Sequence, residues 1–281
     1  MLRLRRVAPD MREHLNTDFF TPALPRVFGH RGSAGTHPEN TLDSFRAAVA
    51  AGVQYLEFDI HMTRDGQVVV AHDNHLARMC GLERTIPEMR YAELAAADAG
   101  RMFTLDGATF PFREKGIRVP RLAEVLEAFP KLRMIVEVKQ IAPSVVEAML
   151  DVIDRARMRR RVLVASEHQE PLDEVRKLAP EIPTNFSYLE SGLFIQAMGI
   201  HDAGYRPPGD AVQIPHRHES WELVTKESVD FAHRVGVEVH VWTVNEEAEM
   251  SELLDMGVDG LISDYPHRAL DVVRRRASAQ R

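Results

Sequence analysis

From Arg26 onward, short apolar runs alternate with stretches of helical periodicity, and this alternation limits the possible folds more than any other feature. In the first helical stretch Leu42, Phe45 and Val49 fall at i, i+3 and i+7, and Gly52 supplies a C-terminal stop. Strands that alternate with helices form parallel βαβ units. Eight such units in about 250 residues predict a (β/α)8 TIM barrel, of the α/β class. The candidate strands are residues 27–30, 55–60, 134–138, 162–166, 184–188, 211–214, 237–244 and 260–264.

An open, doubly wound parallel sheet is the competing architecture for the same alternation. The glycines near the first candidate strand lack the G-x-G-x-x-G spacing of a dinucleotide-binding turn, so no motif supports this alternative. The sequence therefore predicts one barrel domain over residues 26–276, preceded by an N-terminal extension over residues 1–25.

The interval between His72 and the helix that starts near Leu122 is about twice as long as one barrel connection needs. We expect a small insertion there, at about residues 74–118, after the second barrel strand, with a short helix at 87–98. The phenylalanines of the insertion could line a pocket for an acyl chain, or they could form the small core that an insertion needs. They are Phe103, Phe110 and Phe112.

The composition is that of an ordinary soluble enzyme, with 44% hydrophobic and 27% charged residues. The net charge of -7 argues against nucleic acid as a partner but leaves a small anionic substrate open, because a local cation can reverse the field in one cleft. A single cysteine, Cys80, fits a reducing compartment. We find no apolar run long enough for a transmembrane segment and no secretory signal, so we expect a cytoplasmic protein; the oligomeric state stays open.

Acidic residues occupy the inward face of two candidate strands. Because alternate residues of a strand share a face, Glu57 and Asp59 point away from the apolar face of their strand and into the barrel. Glu137 and Lys139 share a face in the same way. A layer of buried salt bridges would explain one isolated Glu-x-Asp pair. Three inward acids from neighbouring strands favour a site for a hard cation with oxygen ligands.

A hairpin is expected at Asp65-Gly66, a strong signal for a two-residue turn. Counting outward from that turn, Asp59 is directly opposite His72, so the turn would deliver His72 beside the acids. His30 ends the first strand, where barrel enzymes place catalytic groups. Two histidines beside a cation suggest a general acid and a general base.

The run from Val27 to Asp73 carries five motifs in order: H-R-G, P-E-N-T, E-x-D, T-x-D-G and H-D. Later come E-V-K at 137–139, V-W-T-V-N at 241–245 and G-V-D-G-L-I-S-D-Y-P at 257–266. This ordered set closely resembles the glycerophosphodiester phosphodiesterase family, over nearly the whole predicted domain. The resemblance implies hydrolysis of a small glycerophosphodiester to glycerol 3-phosphate and an alcohol.

The resemblance also implies a role for each site residue. One divalent ion, Mg²⁺ or Ca²⁺, would be bound by Glu57, Asp59 and Glu137. His30 and His72 would be the catalytic acid–base pair. Arg31 and Lys139 would bind the phosphate of the substrate. The indole of Trp242 would pack against its alcohol part. Glu39 would support the site through Arg31 or through the surroundings of the metal, although residues 39–41 could equally be a simple helix start. We expect Asn245 and Asp264 to be mainly structural.

Two histidines leave the identity of the substrate open. His216 and His218 are not part of the pattern, and they suggest a solvated loop, a head-group contact or a second ion. The alternatives to the leading function are a lysophospholipase D-like phosphodiesterase of the same superfamily and a barrel that binds without catalysis. The intact acids and histidines argue against the last of these.

Overall fold

The computed structural model describes residues 17–279, in which parallel strands curl into a barrel. The sheet runs in the order β5-β4-β2-β1-β10-β9-β6, and β3 pairs antiparallel with β2. A separate small hairpin is formed by β7 and β8. The strands are β1 (Arg26–His30), β2 (Tyr55–Met62), β3 (Val68–Val70), β4 (Arg133–Val138), β5 (Val162–Ala165), β6 (Ala211–Pro215), β7 (Arg217–His218), β8 (Trp221–Glu222), β9 (Glu238–Trp242) and β10 (Gly260–Ser263).

Helices follow most of the barrel strands and cover the outside of the sheet. The apolar faces of the strands and helices meet in one large core. Short 3₁₀ turns lie at Ile86–Glu88 and Arg159–Arg161. The α-helices are α1 (Leu42–Ala51), α2 (Ala77–Cys80), α3 (Tyr91–Leu94), α4 (Leu122–Ala128), α5 (Val146–Arg155), α6 (Gln169–Leu178), α7 (Tyr188–Gly199), α8 (Lys226–Arg234), α9 (Glu247–Met256) and α10 (Pro266–Ala279).

The first helix shows how local sequence sets these boundaries. Thr41 caps α1 by accepting a hydrogen bond from the Ser44 backbone N–H, which satisfies one of the free donors of the first turn. Gly52 ends the helix in the left-handed region, at φ 107°, where a side chain would be strained. Phe45 is buried against the sheet, and Leu42 and Val49 are partly buried against the same core, as the periodicity predicts.

Between β5 and β6 the barrel is closed by only two bridging residues, Thr184 and Asn185, where the sequence predicts the fifth strand. Thr184 pairs with Val164 of β5, and Asn185 pairs with Ala211 of β6, both in parallel. The predicted strand at 184–188 was therefore too long. Ser187 is the N-cap of α7, and its side chain accepts a hydrogen bond from the backbone of Glu190 while the Glu190 carboxylate accepts from the Ser187 N–H. With this correction, the predicted (β/α)8 barrel is confirmed.

The chain between β3 and α4 folds over the barrel with a small core of its own, which includes Leu76, Ile86 and Leu94. The helix predicted at 87–98 was wrong as one element, because the extended backbone of Arg90 separates the 3₁₀ turn from the four residues of α3. Residues 1–16 of the predicted N-terminal extension lie outside the described residues. The domain limits at 26 and 276 stay a prediction.

The base of the barrel is closed by a segment that precedes β1. Phe19 is fully buried there and packs edge-on against Tyr55, with ring centroids 5.4 Å apart. Arg26 lies beside these rings and forms a buried ion pair with Glu238, at 2.8 Å. Within residues 17–279, none of the helices has the length and apolar character needed to cross a membrane.

Candidate active site

Three carboxylates meet inside the barrel near the carboxyl ends of β2 and β4. Asp59 and Glu137 are directly opposite each other in the parallel register of these strands, and Glu57 lies two residues before Asp59, on the same face of β2. Glu57 and Asp59 are almost fully buried, and the side chain of Glu137 is 20% exposed. The alternation within β2 therefore places both of its acids inward, as the sequence predicted.

Burial and neighbouring charges shift the pKa of Glu57 and Glu137 upward but that of Asp59 downward. Burial raises the pKa of Glu57 and of Glu137, and the charge of Asp59 raises both further. Burial also opposes ionisation of Asp59, but Arg31 and Lys139 beside it hold its pKa below the usual value. Two cations face three carboxylates, so the ionised cluster retains an excess of one negative charge, which favours the binding of a further cation.

The geometry of the three carboxylates fits a metal ion. One oxygen from each residue lies within 4.8 Å of the others. Oxygens on opposite sides of a Mg²⁺ or Ca²⁺ ion are about 4–5 Å apart, and both ions prefer oxygen ligands. Because a buried triad of carboxylates is costly without such an ion, the cluster can hold one divalent cation.

His30 lies at the end of β1, and an aspartate orients its ring. The Nδ1 atom is 2.6 Å from Asp264 Oδ1, so Nδ1 carries the proton and Nε2 faces the carboxylates, 3.9 Å from Glu57. Asn245 in turn donates to Asp264 at 2.8 Å and accepts from its backbone N–H. Burial lowers the pKa of His30, but the hydrogen bond to Asp264 and the charge of Glu57 outweigh it, so the pKa is raised.

His72 has a similar partner on the other side of the site. Its Nδ1 atom is 2.6 Å from Asp73 Oδ1, which leaves Nε2 available. Asp73 is held by Arg78 at 2.6 Å, and Arg78 also donates two hydrogen bonds to Glu39, both at 2.7 Å. These contacts connect His72, through Asp73 and Arg78, to Glu39, which also accepts a hydrogen bond from Arg31.

The predicted hairpin register was wrong by one residue. Ile60 pairs with Val70, so Ala71 is opposite Asp59 and its N–H donates to the Asp59 carbonyl. The loop has three residues, with Gly66 at φ 76°, instead of two. His72 reaches the site because the chain leaves the strand after Val70, not because of direct pairing.

Arg31 and Lys139 flank the carboxylates from two sides. Arg31 Nε is 3.4 Å from Asp59, and its NH1 donates to Glu39 at 3.0 Å, as expected for a supporting role of Glu39. The buried Nε finds no hydrogen-bond acceptor among the described residues. Lys139 Nζ is 2.5 Å from Glu137 and 3.6 Å from Asp59. Both cations are therefore close to any anion bound over the carboxylates.

A cavity of about 460 Å³ opens over this cluster, at the carboxyl ends of the strands. Trp242 contributes to its wall with 38% of its surface exposed, and His218 lies at its rim. The expectation of a solvated loop was wrong for His216, which is 97% buried. The described residues that form the apolar side of the cavity include Ile135, Phe186, Ile195, Ile214, Leu223 and Ile262.

The phenylalanines of the insertion do not line this cavity. Phe112 packs edge-on against Phe103, with ring centroids 5.2 Å apart, and against the small core of the insertion. Phe110 lies under the guanidinium of Arg113. Of the two possibilities raised by the sequence, the structure therefore supports packing and contradicts an acyl pocket built from these rings.

Sequence reasoning missed part of the site. Asp264 was expected to be mainly structural, yet it contacts His30 directly. Asn40 was noted only as part of the P-E-N-T motif and of a possible helix start, yet its amide donates to Asp59 at 2.9 Å. Asp73 was given no role, although its position directly after His72 was a usable signal.

The model of the glycerophosphoryl diester phosphodiesterase family matches residues 30–268. The chain belongs to this family. It is therefore an enzyme, a phosphoric diester hydrolase, in agreement with the resemblance seen in its motifs.

Relatives of this phosphodiesterase are similar over most of its length. A glycerophosphodiester phosphodiesterase of Bacillus altitudinis is 30% identical over 260 residues, which cover 89% of this chain and 98% of the relative. The lysophospholipase D GDPD1 of Mus musculus is 29% identical over 276 residues, covering 88% and 86%. A phosphodiesterase of Oleispira antarctica, whose solved structure is a complex with the product sn-glycerol-3-phosphate, is 25% identical, with a TM-score of 0.75 and coverage of 89% of this chain and 97% of the relative.

Proposed function

We propose that this enzyme hydrolyses glycerophosphodiesters to glycerol 3-phosphate and an alcohol, with His30 and His72 as its general acid and base. A divalent ion bound by Glu57, Asp59 and Glu137 would complete the site. The observation that carries this proposal is the arrangement of two cavity-lining histidines, each with Nδ1 bound to an aspartate, around a buried triad of carboxylates. The product complex of the Oleispira antarctica relative supports the choice of product.

The two histidines would share the proton transfers. One Nε2 accepts a proton from the attacking water as the water oxygen bonds to phosphorus. The other Nε2 donates a proton to the alcohol oxygen as its bond to phosphorus breaks. Because Asp264 and Asp73 hold the two Nδ1–H groups, Nε2 of the neutral ring can accept a proton, and Nε2 of the doubly protonated ring can donate one.

The cations of the site would bind the phosphate. Arg31 has a buried Nε without an acceptor, which a phosphate oxygen can supply. Lys139 would contribute a second positive charge, and Trp242 would pack on the alcohol part. When bound, the metal ion neutralises phosphoryl oxygens and lowers the cost of the charge that develops on them. Three carboxylate oxygens suit either Mg²⁺ or Ca²⁺.

The single free thiol, Cys80, is buried, which is compatible with the cytoplasmic setting that we propose. The substrate in this proposal is a small molecule.

Product analysis tests the reaction. Purified enzyme incubated with glycerophosphocholine and Mg²⁺ or Ca²⁺ should release glycerol 3-phosphate and choline in equal amounts. A chelator should abolish the release, and the added ion should restore it. Asp59→Asn should raise the ion concentration needed for half-maximal rate, because a ligand charge is lost. Hydrolysis that survives the chelator would contradict the role of the metal.

Lysophospholipids are a second candidate substrate, favoured by the cavity wall and its rim. Apolar side chains form one side of the cavity, and exposed apolar residues continue outward along α7 and the β7–β8 hairpin. The side chains of Tyr188, Leu189 and Trp221 are 78%, 62% and 71% exposed. An acyl chain that leaves the cavity would cover part of this surface. The similarity to the mouse lysophospholipase D points the same way.

A comparison of two substrates separates these candidates. If the apolar wall binds an acyl chain, kcat/KM for lysophosphatidylcholine should exceed that for glycerophosphocholine, and Ile195→Ser should reduce only the former. Equal effects of Ile195→Ser on both substrates would contradict acyl binding at this wall.

A further inference from the structure

A second group of ligating side chains lies outside the barrel interior, between the β7–β8 hairpin and α9. His216 follows β6 at the carboxyl end of the barrel, but it is not among the residues that line the cavity. Only 3% of its side chain is exposed. Its ring is turned toward α9, where Nδ1 lies 2.9 Å from the carboxylate of Glu249.

The two ring nitrogens of His216 differ in their partners. A carboxylate only accepts hydrogen bonds, so the contact with Glu249 requires the proton of the neutral ring to be on Nδ1. Nε2 then carries a lone pair. This atom is buried and makes no hydrogen bond with any described residue, although Glu222 Oε1 lies 3.3 Å away. A lone pair that faces a carboxylate oxygen at this distance is unfavourable unless a proton or a metal ion lies between them.

A third ligand atom completes the arrangement. His216, Glu222 and Glu252 each offer one atom, and these atoms lie within 4.8 Å of one another. Ligands about 2.0–2.1 Å from a tetrahedral ion are separated by about 3.3 Å, which matches the distance from Nε2 to Glu222. One imidazole and two carboxylates would leave a fourth position for water.

We propose that His216, Glu222 and Glu252 form a second metal site, for a divalent transition ion of the Zn²⁺ type. The imidazole ligand favours such an ion over Mg²⁺ or Ca²⁺, which prefer oxygen alone. Glu249 is the carboxylate partner that orients the ring of His216, the usual arrangement behind a metal-bound histidine.

Arg217 is the competing cation at this site. Its NH2 group lies 3.1 Å from Glu222 and 3.7 Å from Glu252. Its side chain is 59% exposed, so it can turn into solvent when an ion binds. One guanidinium offsets only one of the two carboxylate charges, and it leaves the lone pair of His216 without a partner.

An ion at this site would brace the wall of the substrate cavity. Glu222 belongs to β8, and Glu252 belongs to α9, so the ion joins the small hairpin to a helix of the barrel. His218, on β7 of the same hairpin, lies at the rim of the cavity. The inference goes beyond the proposed hydrolysis and does not depend on it.

Zinc stoichiometry tests the proposal. Wild-type protein and variants are loaded with Zn²⁺ in the presence of excess Mg²⁺ and dialysed, and bound zinc is measured by elemental analysis. His216→Gln should retain one zinc ion fewer per chain than the wild type. Glu252→Gln, a change on the helix surface that leaves the core intact, should weaken zinc binding at least tenfold. His201→Gln is the matched control, because His201 is 73% exposed and lies 3.8 Å from Glu227, which is not part of the cluster.

Arg217→Gln gives the sharpest contrast. Removal of a competing cation should leave the zinc affinity equal to or higher than that of the wild type. The proposal is overturned if His216→Gln and Glu252→Gln, both with wild-type melting in the absence of zinc, retain as much zinc as the wild type. It is also overturned if Arg217→Gln loses the ion.

Discussion

At the scale of single residues, Asp264 determines the tautomer of His30, and hydrogen bonds with Asn245 hold Asp264 in position. Sequence reasoning placed His30 at the end of a strand but could not find this chain of contacts, because Asp264 and Asn245 are more than 200 residues away. The inward position of Glu57 and Asp59 could be predicted from the sequence, since the alternation of side chains along β2 fixes the face on which both lie. Contacts made by loops depend on the closed barrel and leave no periodic signal.

Asp264→Asn should lower kcat by about 10²-fold, because the amide no longer holds the Nδ1–H of His30 and both tautomers become populated. KM and metal affinity should stay within threefold of the wild type, since the phosphate and metal groups remain in place. Steady-state kinetics on glycerophosphocholine measure this separation. Asp271→Asn, at a 55% exposed aspartate paired with Arg274, is the control and should leave kcat unchanged. A loss confined to KM would contradict the positioning role.

At the scale of the elements, the hairpin between β2 and β3 shows how far turn signals reach. Asp65-Gly66 correctly predicted a turn, but the loop length differed by one residue, and a slip of one residue reverses the face of every side chain. Thr63 explains the difference: its hydroxyl donates to Asp65 and accepts from the Gln67 N–H, which stabilises a three-residue loop. The capping box at Ser187 and Glu190 was visible in the sequence and would have corrected the fifth strand.

Gly66→Ala should destabilise the protein by about 1 kcal/mol, because φ is 76° and an L side chain is strained there. No atom lies within 4 Å of the added methyl group, so the cost is conformational and not steric. Gly199→Ala is the control: it lies at the end of α7 with equal space, and it should be neutral or slightly stabilising. Urea unfolding measures both. Equal free energies of unfolding for Gly66→Ala and the wild type would contradict the left-handed backbone of Gly66 in this loop.

At the scale of the whole molecule, the barrel separates two polar centres. The acids of the candidate active site lie near the carboxyl ends of the strands, and Arg26, Glu238 and His240 form a buried cluster toward the opposite end. Burial alone would raise the pKa of Glu238, but hydrogen bonds from His240 and Arg26 hold it at about 2. The alternating apolar runs predicted the barrel, whereas this ion pair joins residues 212 positions apart and has no local signal.

The lowered pKa of Glu238 makes stability depend on pH. In the folded protein this carboxylate stays ionised at pH values below 4.5, its ordinary pKa. Its contribution to the stability of the fold is therefore complete above pH 4.5 and disappears as the pH falls toward 2. The contribution is on the order of 3 kcal/mol. Glu238→Gln should lose about 3 kcal/mol at pH 7 and show a shallower fall between pH 5 and 3. Denaturant titrations at several pH values measure both, with Glu147→Gln at an exposed position of α5 as the control. A slope equal to that of the wild type would contradict the ion pair.

The central claim is that His30 and His72 transfer the protons of phosphodiester hydrolysis beside a metal-binding triad of carboxylates. Its most direct test is the turnover number of His30→Ala and of His72→Ala on glycerophosphocholine at saturating metal ion, with bound metal measured in the same samples. We expect each variant to retain the ion and to lose about 10²–10⁴-fold in kcat. A kcat within threefold of the wild type in either variant would contradict the claim.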